Sequence, residues 1–358
     1  MTGCRGLLSA ESEIHKDMKE LVVISGKGGT GKTSIVASFA AQAGRVVTSD
    51  CDVDAADLHL LLEPKIEKRS LFSGGKVATI IPNLCNGCGK CEELCRYDAV
   101  VKIDSEAAAK FKMFFGKEAR KGKHGSARHG RHALYTIDKI TCEGCGVCAY
   151  FCPRDAISFE DEENGEWYVS STRFGPMTHA RLLPGAENSG KLVTIVRNEA
   201  RRLAEESGIE LVLIDGSPGI GCPVIASVSG ADLAVVVTEP TMSGLHDLER
   251  IVELTHHFDI ETAVVVNKYD INEDIAIDIE EFAKRNRIGM LGGIRYDEAV
   301  TRAQIEGATV VEFSNGSASR DIRRIWKVVE KLIMRKKKQP GALLSNGTRR
   351  RIPGNAGE

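Results

Sequence analysis

Short apolar runs punctuate this chain, and most are followed by a longer stretch in which apolar positions recur every three or four residues. Runs of the first kind at 21–25, 45–48, 211–214, 233–237, 262–266 and 309–313 predict buried strands. Stretches of the second kind at 192–206, 245–258, 274–286 and 320–334 predict amphipathic helices, and an apolar helix is expected through Ala43 after the first strand. Alternation of this sort implies an α/β fold with a mostly parallel sheet covered by helices on both faces. In such sheets ligands gather at the carboxyl ends of the strands. A cysteine-rich stretch interrupts the alternation between about 82 and 159, and strands resume near Tyr168. That stretch reads as an inserted domain.

The first strand, Leu21-Val22-Val23-Ile24-Ser25, runs straight into Gly26-Lys27-Gly28-Gly29-Thr30-Gly31-Lys32-Thr33 and then into the apolar helix. The loop meets the pattern G-x-x-x-x-G-K-[ST] at Gly26, Gly31, Lys32 and Thr33. Its glycines turn backbone N–H groups toward phosphate oxygens at a helix N-terminus, Lys32 reaches the β and γ phosphates, and Thr33 ligates magnesium. An ordinary turn could match by chance, but the strand before it and the helix after it are what the chemistry needs.

Eight of the eleven cysteines form two matching runs, Cys85/Cys88/Cys91/Cys95 and Cys142/Cys145/Cys148/Cys152. Each reads C-x2-C-x2-C-x3-C, a spacing that gives three thiolates to one 4Fe-4S cube and sends the fourth to its neighbour. The ligand sets should therefore cross: Cys85, Cys88, Cys91 and Cys152 for one, and Cys142, Cys145, Cys148 and Cys95 for the other. The likeness extends to Asn86-Gly87-Cys88-Gly89 against Glu143-Gly144-Cys145-Gly146, and to Asp98-Ala99-Val100 against Asp155-Ala156-Ile157, so the stretch is an internal repeat. Structural zinc usually takes two C-x2-C pairs, and the third close cysteine of each run argues against it. Disulfides need an oxidising compartment, whereas residues 1–19 lack an apolar core and a cleavage site. Pro153 follows Cys152, but Arg96 follows Cys95 and sets a cation beside that cluster.

With 358 residues, 42% hydrophobic and 27% charged, the chain has the composition of a globular protein of about two domains. No run approaches the roughly 18 apolar residues of a membrane span, and a cytoplasmic location is expected. The net charge of -2 is unevenly spread. Residues 105–132 and a tail with Arg335-Lys336-Lys337-Lys338 and Arg349-Arg350-Arg351 are basic. Both fit solvated segments, and the first also fits an electrostatic dock for an acidic redox partner. Neither gives firm support to a nucleic-acid or membrane partner.

The extra Lys27 resembles the signature lysine of the deviant Walker A ATPases, the MinD and ParA superfamily with the nitrogenase iron protein and the Mrp carriers. That resemblance implies an ATP-dependent homodimer, or a heterodimer with a related ATPase, in which Lys27 reaches the partner's nucleotide. By the same resemblance Asp52, within Asp50-Cys51-Asp52-Val53-Asp54, orients the attacking water in the first switch. Asp215, within Ile214-Asp215-Gly216-Ser217-Pro218-Gly219, holds magnesium through water in the second, and Asn267 contacts adenine. The inserted cysteines, with Glu187-Asn188-Ser189-Gly190-Lys191 and Ser243-Gly244-Leu245-His246-Asp247, resemble the members of this superfamily that carry an inserted two-cluster ferredoxin domain.

The expected organisation is an N-terminal extension over 1–19, a discontinuous ATPase domain over 20–81 and 160–335, a ferredoxin-like α+β insertion over 82–159, and a basic tail over 336–358. Cys222, beside the second switch, is a lone cysteine that could bridge subunits or simply pack. Ile322, Ile325, Trp326, Val329 and Ile333 line one helix face, as a membrane-binding helix or a terminal domain helix would. The leading functional expectation is an ATPase that couples ATP, Mg2+ and two 4Fe-4S clusters to electron transfer with a redox partner protein. The alternatives are an iron-sulfur assembly or carrier ATPase and a MinD-like or ParA-like spatial organiser with redox-sensing clusters.

Overall fold

The computed structural model describes residues 18–103, 134–139, 141–183 and 189–334. Its strands are β1 (Lys19–Ser25), β2 (Val47–Asp50), β3 (Lys65–Ile80), β4 (Val100–Ile103), β5 (Leu134–Ile137), β6 (Ile157–Thr172), β7 (Gly175–Leu182), β8 (Leu211–Pro218), β9 (Leu233–Thr238), β10 (Glu261–Asn267) and β11 (Gly289–Ile294). Its α-helices are α1 (Lys32–Ala43), α2 (Leu58–Leu62), α3 (Lys90–Leu94), α4 (Val147–Tyr150), α5 (Ser189–Ser207), α6 (Cys222–Val228), α7 (Met242–His257), α8 (Glu273–Arg285), α9 (Ala299–Ile305), α10 (Val310–Phe313) and α11 (Ser317–Ile333).

Nine strands form one sheet in the order β11-β10-β9-β1-β8-β2-β7-β6-β3, and β4 pairs with β5 separately. From β11 to β7 the neighbours are parallel, whereas β7–β6 and β6–β3 are antiparallel. The central strands are buried on both faces, which explains why 211–214 and 233–237 are apolar at every position rather than at alternate ones. One face packs Ile35, Phe39, Ile322, Ile325 and Trp326 from α1 and α11, and the other packs Leu192, Val196, Leu248 and Ile251 from α5 and α7. Each such side chain contributes roughly 1.5–3 kcal/mol when taken fully from water. Ile322, Ile325, Trp326, Val329 and Ile333 are all buried, so the apolar stripe of α11 is part of this core.

One expected strand is a helix. Residues 310–313 form α10 because Thr309 and Glu312 make a reciprocal capping box, the Thr309 hydroxyl accepting from the Glu312 N–H at 3.3 Å and the Glu312 carboxylate accepting from the Thr309 N–H at 3.2 Å. Val310 and Val311 are buried from that one turn.

β3 and β6 are sixteen residues each and pair from Lys65 with Ser171 to Ile80 with Ile157, so an antiparallel ribbon carries the cysteine runs at its far end. The expected insertion boundaries at 82 and 159 fall at that end. There Ala78, Ile80, Ala99, Val100, Tyr135 and Ile137 form a small separate core, with Cys85, Cys91, Cys95, Cys142 and Cys148 packed against it. No helix among the described residues is long and apolar enough to cross a membrane. The expectations for 1–17, for 104–133, for Glu187 and Asn188 and for the tail beyond 334 lie outside the described residues.

Candidate functional site

β1, β2 and β8 lie side by side and end together, and hydrogen bonds tie their ends. The Cys51 N–H donates to the Asp215 carbonyl at 2.8 Å, the Ser217 hydroxyl to the Cys51 carbonyl at 2.6 Å, and the Gly219 N–H to the Ser25 carbonyl at 2.8 Å. The glycine-rich loop, the segment after β2 and the segment after β8 thus form one structure. They border a cavity of about 680 Å³, lined among others by Gly28, Gly29, Thr30, Gly31, Lys32, Thr33, Asp52, Asp54 and Ser217. That volume lies within the range of small-molecule sites. Gly31 has φ +85°, and a Cβ there would lie 2.5 Å from the Asn267 amide nitrogen, so glycine is required on both counts.

Lys32 is buried and pairs with Asp215, and its ammonium lies 3.6 Å from Asp52. Burial works against its charge, but Asp215 and then Asp52 outweigh it and raise its pKa. Burial and the nearby Asp215 push Asp50 well up, with Lys32 opposing. The Asp50 carboxylate is fixed by the N–H groups of Asp52 and Leu58, both at 3.1 Å. It therefore anchors the segment after β2 and the start of α2, and leaves Asp52 to face the cavity. Burial raises Asp52 to about 6, Asp215 and Asp54 adding to the effect and Lys32 opposing it.

Two buried oxygens at this site, Asp215 Oδ2 and Thr30 Oγ1, have no hydrogen-bond partner among the described residues. Unpartnered buried acceptors are costly unless a ligand meets them. Together with a twelve-residue helix that begins at Lys32, they fit a phosphate chain with a divalent cation.

Three further sequence-derived residues lie around this site. Lys27 turns within its own chain to Glu239 and the Ser243 hydroxyl, both at 3.4 Å, and Glu239 also holds Lys268 at 2.8 Å. Asn267 is absent from the cavity wall: its amide nitrogen donates to the Thr30 carbonyl at 2.7 Å and its oxygen accepts from the Lys268 N–H, so it braces the loop from behind. Cys222 is exposed at the start of α6. Sequence reading missed Glu239 and Gln304, whose amide meets the Ser34 hydroxyl at 2.8 Å. Only spacing behind an apolar strand could have flagged Glu239.

The cysteines line two further cavities. Cys85, Cys88, Cys91 and Cys152 line one, together with Tyr135, Pro153 and Ile157. Cys95, Cys142, Cys145 and Cys148 line the other, together with Ala99, Val100 and Ile137. All eight are free of disulfides. The Gly87 N–H donates to the Cys85 sulfur at 3.4 Å and the Ala156 N–H to the Cys152 sulfur at 3.3 Å, as thiolate-binding loops do. Burial pushes Cys91 up to about 11, so a thiolate there needs a cation against it. Gly144, at φ +59°, puts its Cα so near the ribbon that a Cβ would lie 2.2 Å from the Lys76 carbonyl oxygen. Among the described residues no three His, Cys, Asp or Glu side chains converge to hold a metal ion.

A parallel sheet whose strand ends cradle this loop, with a buried lysine held by two aspartates, defines a P-loop nucleotide-binding protein. Residues 21–310 match the model of the CobQ/CobB/MinD/ParA nucleotide-binding domain, and the chain belongs to that family. An uncharacterised protein of Methanocaldococcus jannaschii is 34% identical over 256 residues, which is 71% of this chain and 79% of that one. The septum site-determining protein MinD of Bacillus subtilis is 30% identical over 165 residues, 44% of this chain and 60% of its own length. Among solved structures, MinD of Pyrococcus horikoshii in complex with Mg-ADP superposes with a TM-score of 0.50 at 16% identity, covering 88% of this chain and 97% of that one, a likeness of fold.

Proposed function

We propose that this protein is an Mg2+-dependent ATPase whose nucleotide state controls electron transfer through two 4Fe-4S clusters to a partner protein. The observation that carries the reading is that two cavities gather the eight cysteines in the crossed sets, four to each. Four cysteines to each cavity match the ligand count of one 4Fe-4S cube per cavity, and such a cube supplies one-electron redox chemistry when bound. Four ligands per cavity leave none spare for release, which disfavours a cluster carrier.

At the other site, the loop N–H groups of 28–33 would hold phosphates, and Lys32 would leave Asp215 for the β and γ oxygens. Thr33 and the unpartnered Asp215 oxygen would hold magnesium. Asp52, which faces the cavity, would orient the attacking water, and Lys27 would have to leave Glu239 to reach a partner subunit. Asp52 must be ionised for this role, so log kcat/KM for ATP is expected to fall with unit slope below pH about 6. Asp52→Asn should lower the rate and remove that limb; a wild-type profile that is flat from pH 5 to 8 would refute the role.

A physical route joins the sites. Asp50 anchors α2, whose His59 stacks on His179 of β7 with ring centroids 6.3 Å apart. His179 in turn stacks on Tyr168 of β6 at 4.8 Å, and β6 runs out to the cysteines. The test uses anaerobically purified protein, with iron and sulfide counted first. Electron-transfer rate and reduction potentials are then measured with a non-hydrolysable ATP analogue, with ADP and with no nucleotide. The expected result is about eight irons per chain and a clear difference between the ATP-analogue and ADP states. Identical values in all three states would sink the coupling.

A further inference from the structure

The two cysteine runs repeat one unit, yet they present different surfaces. Aligning the cysteines sets Lys90 against Val147, Glu92 against Ala149, Glu93 against Tyr150 and Leu94 against Phe151. The charged pattern of α3 is thus replaced on α4 by an apolar one. Tyr150 is 84% exposed and Phe151 47%. Their rings meet edge to face at 4.9 Å, and with Val147, Phe159 and Cys145 they line an open groove. Exposed aromatic surface of this kind, rimmed by charge, marks a contact face.

Two lysines stand over the aromatic walls. Lys90 sits 5.5 Å over the Phe151 ring and Lys76 sits 5.7 Å over the Phe159 ring, so both phenylalanines that wall the groove carry a lysine. Lys76 also reaches Asp161 at 3.5 Å, while no carboxylate among the described residues pairs with Lys90. Cys145, exposed in the groove, brings a member of the second cysteine set to the surface.

We infer that this groove is the docking face for a protein electron carrier that presents an acidic rim around its own redox centre, an inference that rests on reading the cavities as cluster sites. Tyr150 and Phe151 supply the desolvated centre of the contact, and Lys76 and Lys90 select the acidic rim. One electron leaves this protein and one is gained by the carrier, with no group transferred.

The probe is a purified acidic flavodoxin. Its affinity for the full-length protein is measured by calorimetry, and its oxidation of the pre-reduced protein by stopped flow, with methyl viologen as a small acceptor. A Tyr150→Ser/Phe151→Ser double variant should bind the flavodoxin at least about tenfold more weakly and lose the same factor in rate at low flavodoxin. Its iron content and its rate with methyl viologen should stay unchanged. Lys90→Glu should weaken binding at low salt, with the difference gone at high salt. Glu93→Ser, at the matching position of the first run, should bind as wild type does.

Unchanged affinity in the double variant, an equal loss in Glu93→Ser, or a wild type that does not bind the flavodoxin would each overturn the inference. So would a double variant that keeps flavodoxin affinity but loses self-association by sedimentation, since the occupant would then be a second copy. Zinc in place of iron would refute the cluster reading, while calorimetry would still decide the docking face.

Discussion

Replacing Lys32 by methionine is expected to cut ATP turnover at least a hundredfold and, separately, to destabilise the nucleotide-free protein by about 3–5 kcal/mol. The second effect follows from where the ammonium sits. Asp215 is fully buried, Asp50 is fully buried and Asp52 lies nearby, so Lys32 is the cation that balances this acidic cluster. Without it, carboxylates remain in an apolar setting with no countercharge, and Asp50 and Asp52, which burial already raises and Lys32 holds down, rise further. A carboxylate whose folded pKa lies above its unfolded one costs nothing below the unfolded value, and the cost grows as pH passes the folded value. The penalty in Lys32→Met should therefore be largest near pH 8 and shrink toward pH 5, as read by denaturant unfolding at both. Adding Asp215→Asn should recover much of the stability and none of the turnover, because the charge imbalance is relieved while the phosphate contact stays lost. A double variant as unstable as Lys32→Met would show that the lysine acts by packing.

Much of this site is legible in the sequence because its parts are local. Gly26 to Thr33 must be contiguous for N–H groups to wrap a phosphate, and Asp52 and Asp215 each follow a run apolar enough to read as a central strand. What the sequence hides is lateral. Nothing in Glu239 foretells that it meets Lys27, because their contact depends on β9 lying beside β1. Asn267 stands at the end of β10, where a base contact is a natural expectation, and the sequence holds no sign that the tight approach of Gly31 also sets its amide against the Thr30 carbonyl. The ribbon was obscured for a different reason. β3 and β6 are largely polar, with β3 exposed over its first part and β6 mostly half-buried, and the two-residue period is broken by register shifts near Phe72 and Ser73. Residues 309–313 misled because an apolar pair between polar neighbours fits one turn of helix as well as a strand, and only the Thr309 and Glu312 caps decide between them.

Removing Cys152 should empty the cavity of the first run and spare that of its own. Cys152→Ala is expected to lower the iron content from about eight to about four per chain, since a cube with three thiolates beside an alanine lacks its fourth ligand. The pairing is then read from double variants. Cys88→Ala added to Cys152→Ala should cost no further iron, because both residues line the same cavity. Cys145→Ala added to Cys152→Ala should remove nearly all of it, because Cys145 lines the other. Uncrossed ligation predicts the reverse pair of outcomes, so the two double variants cannot both agree with it. Folding should respond too, because the core around these cavities is small and the cysteines themselves pack against it. In a module with so few buried apolar side chains, metal-ligand bonds of the proposed clusters would supply much of the folding free energy. Proteolysis of Cys152→Ala should therefore cut first within the stretch between β3 and β6, while the nucleotide-binding sheet, with its own two cores, stays intact and binds ATP with wild-type affinity.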